Sequence, residues 1–144
     1  MAENELIING EGMVAGRLAA IAAKKALLGF DVNIINSEKA LIVGNKKEII
    51  KKYKIKEDRG IPSKGPFLPK RPDRFLRKII RGMLPYKKSR GRNAYKQVKC
   101  FIGMPEEFKD KKITEYDNAH IKKSKHTEFI TIKEILKNLG SDFE

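Results

Sequence analysis

The order of apolar segments near the N-terminus most constrains how this chain can fold. An apolar run at residues 6–8 ends at Asn9 and Gly10, as expected of a short buried strand. A second β-rich run covers residues 32–35, and the segment between the two runs has helical periodicity. A strand, a helix and a strand of these lengths predict a right-handed parallel crossover. The chain is therefore expected to contain an α/β core.

The segment between these runs is predicted to be an amphipathic helix. Its apolar residues at helical spacing are Val14, Leu18, Ile21, Ala22 and Leu28. Gly29 follows as a stop signal. A third β-rich run at 40–43 ends at Gly44, and Asn45 is the expected N-cap of a lysine-rich helix.

The C-terminal third shows the same kind of pattern. Residues 98–102 predict another strand, which a Gly-Met-Pro sequence at 103–105 closes. Thr131 and Glu134 form a capping box, with Thr131 as the N-cap of a final helix that Gly140 ends. The apolar face of this helix consists of Ile132, Ile135, Leu136 and Leu139.

Positive charge is concentrated in the middle of the chain. Residues 51–100 carry 18 Lys and Arg against three acids, a net charge of +15 in a chain whose total is +14. A concentrated basic block on a near-neutral body is typical of a protein that binds a polyanion, and we expect RNA. We predict one domain over 1–144, with an α/β core at 5–56 and 98–140 and a basic RNA-binding segment at 57–97.

The segment from Gly60 to Pro72 is predicted to be a long loop. It contains four prolines and two glycines among basic residues, so neither a continuous helix nor a central strand can form. Long loops in compact domains are uncommon unless they serve a function or are disordered. Two interpretations stay open, a solvated loop or a segment that becomes ordered against a polyanion.

A basic amphipathic helix is predicted after this loop, with Asp73 as its N-cap. The apolar residues at i, i+3, i+4 and i+7 are Leu76, Ile79, Ile80 and Met83. The basic residues with the same spacing are Arg74, Arg77, Lys78 and Arg81. At about 100° per residue the two sets centre about 160° apart. An ordinary solvated helix is one interpretation, but the arginines favour a helix that faces phosphates.

Basic residues resume after the segment 82–85, which ends this helix. They are Lys87, Lys88, Arg90, Arg92, Lys96 and Lys99. Ser89 and Gly91 are expected to let the backbone approach a phosphate closely. Tyr86 and Tyr95 either stack on unpaired nucleotides or pack under the loop.

The same sequence disfavours several other classes of protein. Cys100 is the single cysteine, so no internal disulfide is expected, and its apolar neighbours predict a buried strand thiol. His120 and His126 lack the partners of a zinc site, so no metal is expected. No run approaches the ~20 apolar residues of a membrane span. Residues 1–5 carry acids where a secretory signal has bases.

One glycine pattern leaves a second function open. Residues 10–15 match G-x-G-x-x-A between a strand and a helix, and Glu38 follows at the position of a ribose-binding acid. This turn would suit a small nucleotide-dependent enzyme, although the sequence offers no convincing acid/base pair. A protein that compacts DNA is a third interpretation of the basic segment.

Several motifs resemble the universal large-subunit ribosomal protein thirteen family. The most specific is R-G-M-L-P-Y-K-K at 81–88, which leads into Arg90 and Gly91. Further similar motifs are G-R-L-A at 16–19, V-N-I-I-N-S-E at 32–38, G-P-F at 65–67 and V-K-C-F-I-G-M-P at 98–105. The similarity covers residues 6–144. The short N-terminus and the capping-box helix resemble the archaeal or eukaryotic branch.

This resemblance implies a three-layer α/β/α fold with a mostly parallel sheet of about four strands, plus a basic loop-helix-loop extension. It implies a structural constituent of the large ribosomal subunit, without catalytic activity or cofactor, on the cytoplasmic ribosome. The implied partners are large-subunit ribosomal RNA, whose fold the protein stabilises early in assembly, and neighbouring large-subunit ribosomal proteins. No membrane and no small-molecule substrate are implied.

The resemblance also implies which residues contact RNA. They belong to the 64–71 loop, the helical stripe and the 87–96 segment. They are Lys64, Lys70, Arg71, Arg74, Arg77, Lys78, Arg81, Lys87, Lys88, Arg90, Arg92 and Lys96. Arg17 matches a family arginine, which either contacts RNA or holds internal structure.

Overall fold

The computed structural model describes residues 4–61, 63–65, 67–123 and 128–140, which form an α/β fold. The strands are β1 (Glu5–Asn9), β2 (Asp31–Ile35), β3 (Leu41–Val43), β4 (Val98–Cys100) and β5 (Phe129–Thr131). The helices are α1 (Ala15–Leu27), α2 (Lys46–Asp58), α3 (Pro72–Gly82), α4 (Ser89–Gln97) and α5 (Ile132–Asn138). None of the helices in the described ranges has the length and apolar character needed to cross a membrane.

A parallel sheet of three strands forms the centre of the fold. Its strand order is β1-β2-β4, with Ile7 opposite Asn33 and Ile34 opposite Cys100. Because α1 connects β1 to its parallel neighbour β2, the predicted parallel crossover is confirmed.

The third predicted strand forms but does not join this sheet. After β2 the chain turns at Asn36, which has a left-handed φ of 56°, and continues through a 3₁₀ turn at Ser37–Lys39. β3 then pairs antiparallel with β5, and Ile42 lies opposite Ile130. The described residues therefore form a main sheet of three strands, where about four were expected, and a separate antiparallel pair.

Helices pack against one face of the main sheet. The fully buried strand residues of this core are Ile8, Val32, Ile34 and Val98. α1 contributes five buried alanines, whose small side chains let the helix lie close to its neighbours. Leu28 was expected on the same apolar face, yet it is 63% exposed because α1 ends before it.

A short segment covers the opposite face of the sheet. Ile7 and Ile35 pack there against Phe108, which lies in a 3₁₀ turn at Glu106–Phe108. Phe101 meets the Phe108 ring edge-on, with the ring centroids 5.2 Å apart. The α/β class is confirmed, and the layer on this face is thinner than the helical layer that the resemblance implies.

Two of the three N-caps predicted from the sequence are present in the structure. Asn45 accepts a hydrogen bond from the Lys47 backbone N–H (3.0 Å), and Thr131 accepts one from the Glu134 N–H (3.2 Å), so both caps are confirmed. The prediction of Asp73 as the N-cap of α3 is wrong. α3 begins at Pro72, because proline has the φ of a first helical residue and no N–H to leave unpaired.

The basic stretch after α3 is helical, so the prediction of a loop over this stretch is wrong. α4 covers most of it, and Gly91 is buried on its inner side. A Cβ at this position would overlap the carbonyl oxygen of Pro85. The glycine therefore lets α4 pack against the turn that follows α3, which corrects the expectation that it serves a close approach to phosphate.

Replacing Gly91 with alanine is expected to destabilise the protein by about 1–3 kcal/mol, because the new methyl group overpacks this contact. Gly16→Ala is a matched control, since Gly16 is also helical but a Cβ there would meet nothing within 4 Å. The control should be neutral or stabilising by up to ~1 kcal/mol. Urea unfolding curves measure both, and equal stability of the two variants would contradict the packing role.

Candidate nucleic-acid interface

A basic groove, the α3 groove, lies between α3, the segment 67–71 and Tyr95 of α4. It has a volume of about 640 Å³. Its lining residues are Phe67, Leu68, Pro69, Lys70, Arg71, Arg74, Arg77, Lys78, Arg81 and Tyr95. Six of these ten side chains are basic and none is acidic, so positive potential is concentrated in a concave surface.

The apolar face of α3 holds this groove in place. Phe75, Leu76 and Ile80 are buried in the core, and Phe75 packs against the ring of Tyr53 with centroids 5.1 Å apart. The prediction that Met83 belongs to this face is wrong, because α3 ends before it and its side chain is 44% exposed. Since the inner face is fixed by packing, the basic stripe on the other side faces outward.

Arg77 is tied to the protein more firmly than the rest of the stripe. Its Nε donates a hydrogen bond to the Val98 carbonyl (3.1 Å), and an Nη donates one to the Tyr95 carbonyl (3.2 Å). The guanidinium also lies over the Tyr95 ring, 4.1 Å from its centroid. Arg77 therefore joins α3 to the junction of α4 and β4 while its charge remains part of the groove wall.

Both tyrosines of the basic segment stack against arginines. Arg81 lies 4.2 Å from the centroid of the Tyr86 ring, as Arg77 does over Tyr95. Tyr86 and Tyr95 are half-buried. Of the two interpretations left open by the sequence, packing within the protein accounts for one face of each ring.

The loop before α3 supplies the opposite wall of the groove. The described part of this loop forms no helix or strand, apart from one bridge between Ile61 and Gly65, and Pro62 and Pro66 lie outside the described residues. Gly65 has a left-handed φ of 77°, and a Cβ there would come within 2.9 Å of the Phe67 ring. The loop therefore needs glycine at this position to place the ring, which is 68% exposed.

Two basic residues of this wall have acidic partners on the surface. Lys70 forms a salt bridge of 2.7 Å with Glu57, and Arg71 one of 3.5 Å with Asp73. In each pair the basic side chain is exposed and the acid half-buried, and surface pairs contribute about 0–1 kcal/mol each. They are therefore weak enough for phosphate groups to replace the carboxylates.

The remaining predicted RNA-binding residues lie outside the α3 groove. Lys64, Lys87, Lys88 and Arg92 are exposed. Arg90 lines a separate cavity, and Lys96 lines another that it shares with Glu5. Because α4 is a helix, its basic side chains point in several directions. The structure thus brings together six of the twelve predicted side chains.

Additional positive charge comes from α2, which the predicted site omitted. The pKa of Lys56 is lowered by partial burial and then by the neighbouring charges of Lys52, Lys78 and Arg59. Lys78 lines the α3 groove, so the basic residues of α2 add to the same field. The signal was present in the sequence, since the basic block begins at residue 51.

The glycine turn that suggested a nucleotide site is filled by the protein itself. A Cβ at Gly12 would come within 2.7 Å of the His120 ring, and the Val14 N–H donates to the Ala119 carbonyl (2.7 Å). Glu38 is buried and accepts a hydrogen bond from the Gly103 N–H (2.9 Å). A chain segment therefore occupies the place where a pyrophosphate would lie, which contradicts the nucleotide-binding alternative.

Arg17 also serves this internal contact. One Nη donates a hydrogen bond to the Asn118 carbonyl (3.3 Å). The arginine therefore helps to hold the segment that covers the start of α1. This favours the structural role over RNA contact, the two roles that the sequence left open.

The single cysteine lies in β4 and packs against the core. Burial raises the pKa of the Cys100 thiol to about 12. A thiol with this pKa stays protonated at neutral pH, and the thiolate is the reactive form. The prediction that Cys100 lies in a strand is therefore confirmed, and its side chain is half-buried where a buried one was expected.

The groove and the fold together define a class of protein. A concave cationic surface on an α/β core is typical of proteins that bind nucleic acid. Four of the six basic side chains lie on α3, whose apolar face the core holds in place, so the groove presents a positioned cationic surface.

Comparisons with known proteins identify the family within this class. The profile of the family described as ribosomal protein L13 matches residues 3–107. A relative from Archaeoglobus fulgidus is 39% identical over 135 residues, which is 93% of this chain and 86% of the relative. Relatives from Methanosphaera stadtmanae (43% over 135 residues, 90% and 95%) and Methanocaldococcus jannaschii (42% over 142 residues, 95% and 98%) are similar. All three are named large ribosomal subunit protein uL13.

The chain belongs to the ribosomal protein L13 family. Its members are structural components of the ribosome and not enzymes. The resemblance seen in the sequence is therefore confirmed, and the archaeal source of these relatives agrees with the predicted archaeal or eukaryotic branch. The family profile ends at residue 107, while the match to the Methanocaldococcus jannaschii relative covers 95% of the chain.

Proposed function

We propose that this protein, a structural constituent of the large ribosomal subunit on the cytoplasmic ribosome, binds ribosomal RNA through the α3 groove. It thereby stabilises the fold of that RNA during assembly. The observation that carries the proposal is the set of six basic side chains in one groove without an acidic residue in its lining. Membership of the ribosomal protein L13 family indicates that this RNA is ribosomal RNA.

The groove recognises RNA mainly through phosphates. Arg74, Lys78 and Arg81 are exposed on the outward side of α3 and present charges along one line. An arginine can bond two phosphate oxygens at once, which gives direction as well as charge. Each phosphate neutralised releases counterions, so affinity falls steeply as salt rises.

Basic residues outside the groove add contacts around it. We assign this role to Lys64, Lys87, Lys88, Arg90, Arg92 and Lys96. Their different directions suit RNA that surrounds the protein on more than one side. Neighbouring large-subunit ribosomal proteins are the further partners we propose.

Sedimentation of the native protein from a cell lysate tests this function. The protein should migrate with the large subunit on a sucrose gradient and remain there through a moderate-salt wash. Ribosomal RNA should also compete better than duplex DNA for the purified protein, because the A-form shape and the 2′-hydroxyls differ from DNA. A protein that stays at the top of the gradient, or that binds both nucleic acids equally, would contradict the proposal.

A further inference from the structure

We infer that the α3 groove holds an unpaired nucleotide, whose base stacks on the ring of Phe67. This inference rests on the proposed function and names the part of the RNA that enters the groove. The inference excludes an arrangement in which an RNA duplex contacts only the rim of the groove through its phosphates.

The exposure of Phe67 is the first observation. Its side chain is 68% exposed, the highest value among the large hydrophobic residues that the structure describes. A ring left in water forfeits the stabilisation that burial of its apolar surface would give. Phe67 also lines the α3 groove, so the open ring lies beside the basic side chains.

The second observation is that this ring is unused within the described protein. Tyr86 and Tyr95 each carry an arginine on one ring face. Phe67 forms no ring-ring or cation-ring contact in the described ranges. The left-handed Gly65 makes room for one edge of the ring. The ring is therefore positioned by the loop and offers its surface to a partner.

The residues around the Phe67 ring indicate which kind of partner binds there. Lys70, Arg71 and Arg74 line the same groove and suit the phosphates on either side of a nucleotide. The volume of about 640 Å³ lies within the ~300–1,000 Å³ of sites that hold small organic ligands. The bases of a duplex are stacked inside the helix, so only an unpaired base can reach an aromatic ring. An apolar protein segment would bring no negative charge to a lining in which, among the described residues, Arg74, Arg77, Lys78 and Arg81 form no salt bridge.

Two RNA probes distinguish binding to an unpaired base from binding to the phosphate backbone. One is a blunt RNA duplex, and the other is the same duplex with a single-stranded bulge that contains 2-aminopurine. The full chain and its Phe67→Ala, Phe67→Tyr and Leu28→Ala variants are compared by fluorescence anisotropy at constant salt. Leu28→Ala is the matched control, because Leu28 is 63% exposed and lies outside the groove.

Phe67→Ala should bind the bulged RNA about 5- to 150-fold more weakly, as expected for loss of one base–aromatic stack. It should bind the blunt duplex as the unmodified chain does. Phe67→Tyr should retain the affinity for the bulge, and Leu28→Ala should change neither. The 2-aminopurine fluorescence should be quenched by the unmodified chain and by Phe67→Tyr but not by Phe67→Ala.

Equal weakening on both probes, or none on either, would overturn the inference while leaving the proposed function intact. Unchanged RNA affinity together with poor incorporation of Phe67→Ala into large subunits would assign the ring to a protein neighbour and would also overturn it. Failure of the unmodified chain to bind either probe or ribosomal RNA would instead count against the proposed function itself.

Discussion

Reversing the charges of Arg74 and Lys78 together will weaken binding to large-subunit ribosomal RNA by about 10- to 100-fold at moderate salt. Both side chains are exposed and line the α3 groove. Two phosphate contacts are lost, so the slope of log affinity against log salt should fall by about 2. The fold should persist, since neither side chain is part of the core. Filter binding over a salt series measures both quantities.

The control for this experiment keeps the change in net charge and moves it elsewhere. Lys133 and Lys137 are also exposed and four residues apart on a helix, here α5. Their double reversal to glutamate should lower RNA affinity much less. If the two double variants were equally weak, net charge rather than the groove would account for binding. Circular dichroism of both variants verifies the fold.

Replacing Leu76 with alanine will cost about 2–5 kcal/mol of the free energy of unfolding, the range for truncation of a fully buried leucine. The Leu76 side chain is 0% exposed in the core cluster that includes α1 and the sheet. Urea unfolding monitored by circular dichroism gives the value. The cost reflects both lost burial and the cavity that remains.

Met83→Ala is the control for Leu76→Ala. The sequence placed both residues on one apolar face, but Met83 is 44% exposed. Its truncation should change stability by about 0.5 kcal/mol or less. Similar costs for the two variants would mean that α3 does not pack in the orientation described.

The elements predicted well are those whose signal is local. β1, α1 and β2 follow one another with clear periodicity, and the caps at Asn45 and Thr131 act over two or three residues. The placement of β3 depends on β5, which is far away in the sequence. No local pattern could show that β3 would leave the main sheet.

α4 was not predicted from the sequence because it lacks an apolar face. Its buried residues are Gly91 and Ala94, both small, so the helix is held by close packing rather than by a hydrophobic stripe. Three of the twelve predicted RNA-binding residues, Arg90, Arg92 and Lys96, lie on this helix and outside the α3 groove, since a helix directs its side chains differently from the loop that was expected.

The basic stripe on α3 was predictable from the helical spacing of its residues, but the hydrogen bonds of Arg77 were not. Its acceptors are carbonyls at Val98 and Tyr95, 21 and 18 residues away along the chain. Phe67 was visible only as part of a motif, and its exposure depends on how the loop turns at Gly65. Tertiary contacts therefore decide which charges and rings meet in the groove.

The anchoring of Arg77 has a consequence for the entropy of binding. A free arginine carries about 2 kcal/mol of rotamer entropy that it loses when it is held in one position. In this protein the two backbone carbonyls and the Tyr95 ring have already immobilised Arg77 when the chain folds. The loss of Arg77 rotamer entropy is therefore part of the free energy of folding, and it does not lower the affinity for RNA. The groove is preorganised at its centre, while its exposed cations stay adaptable at the edges.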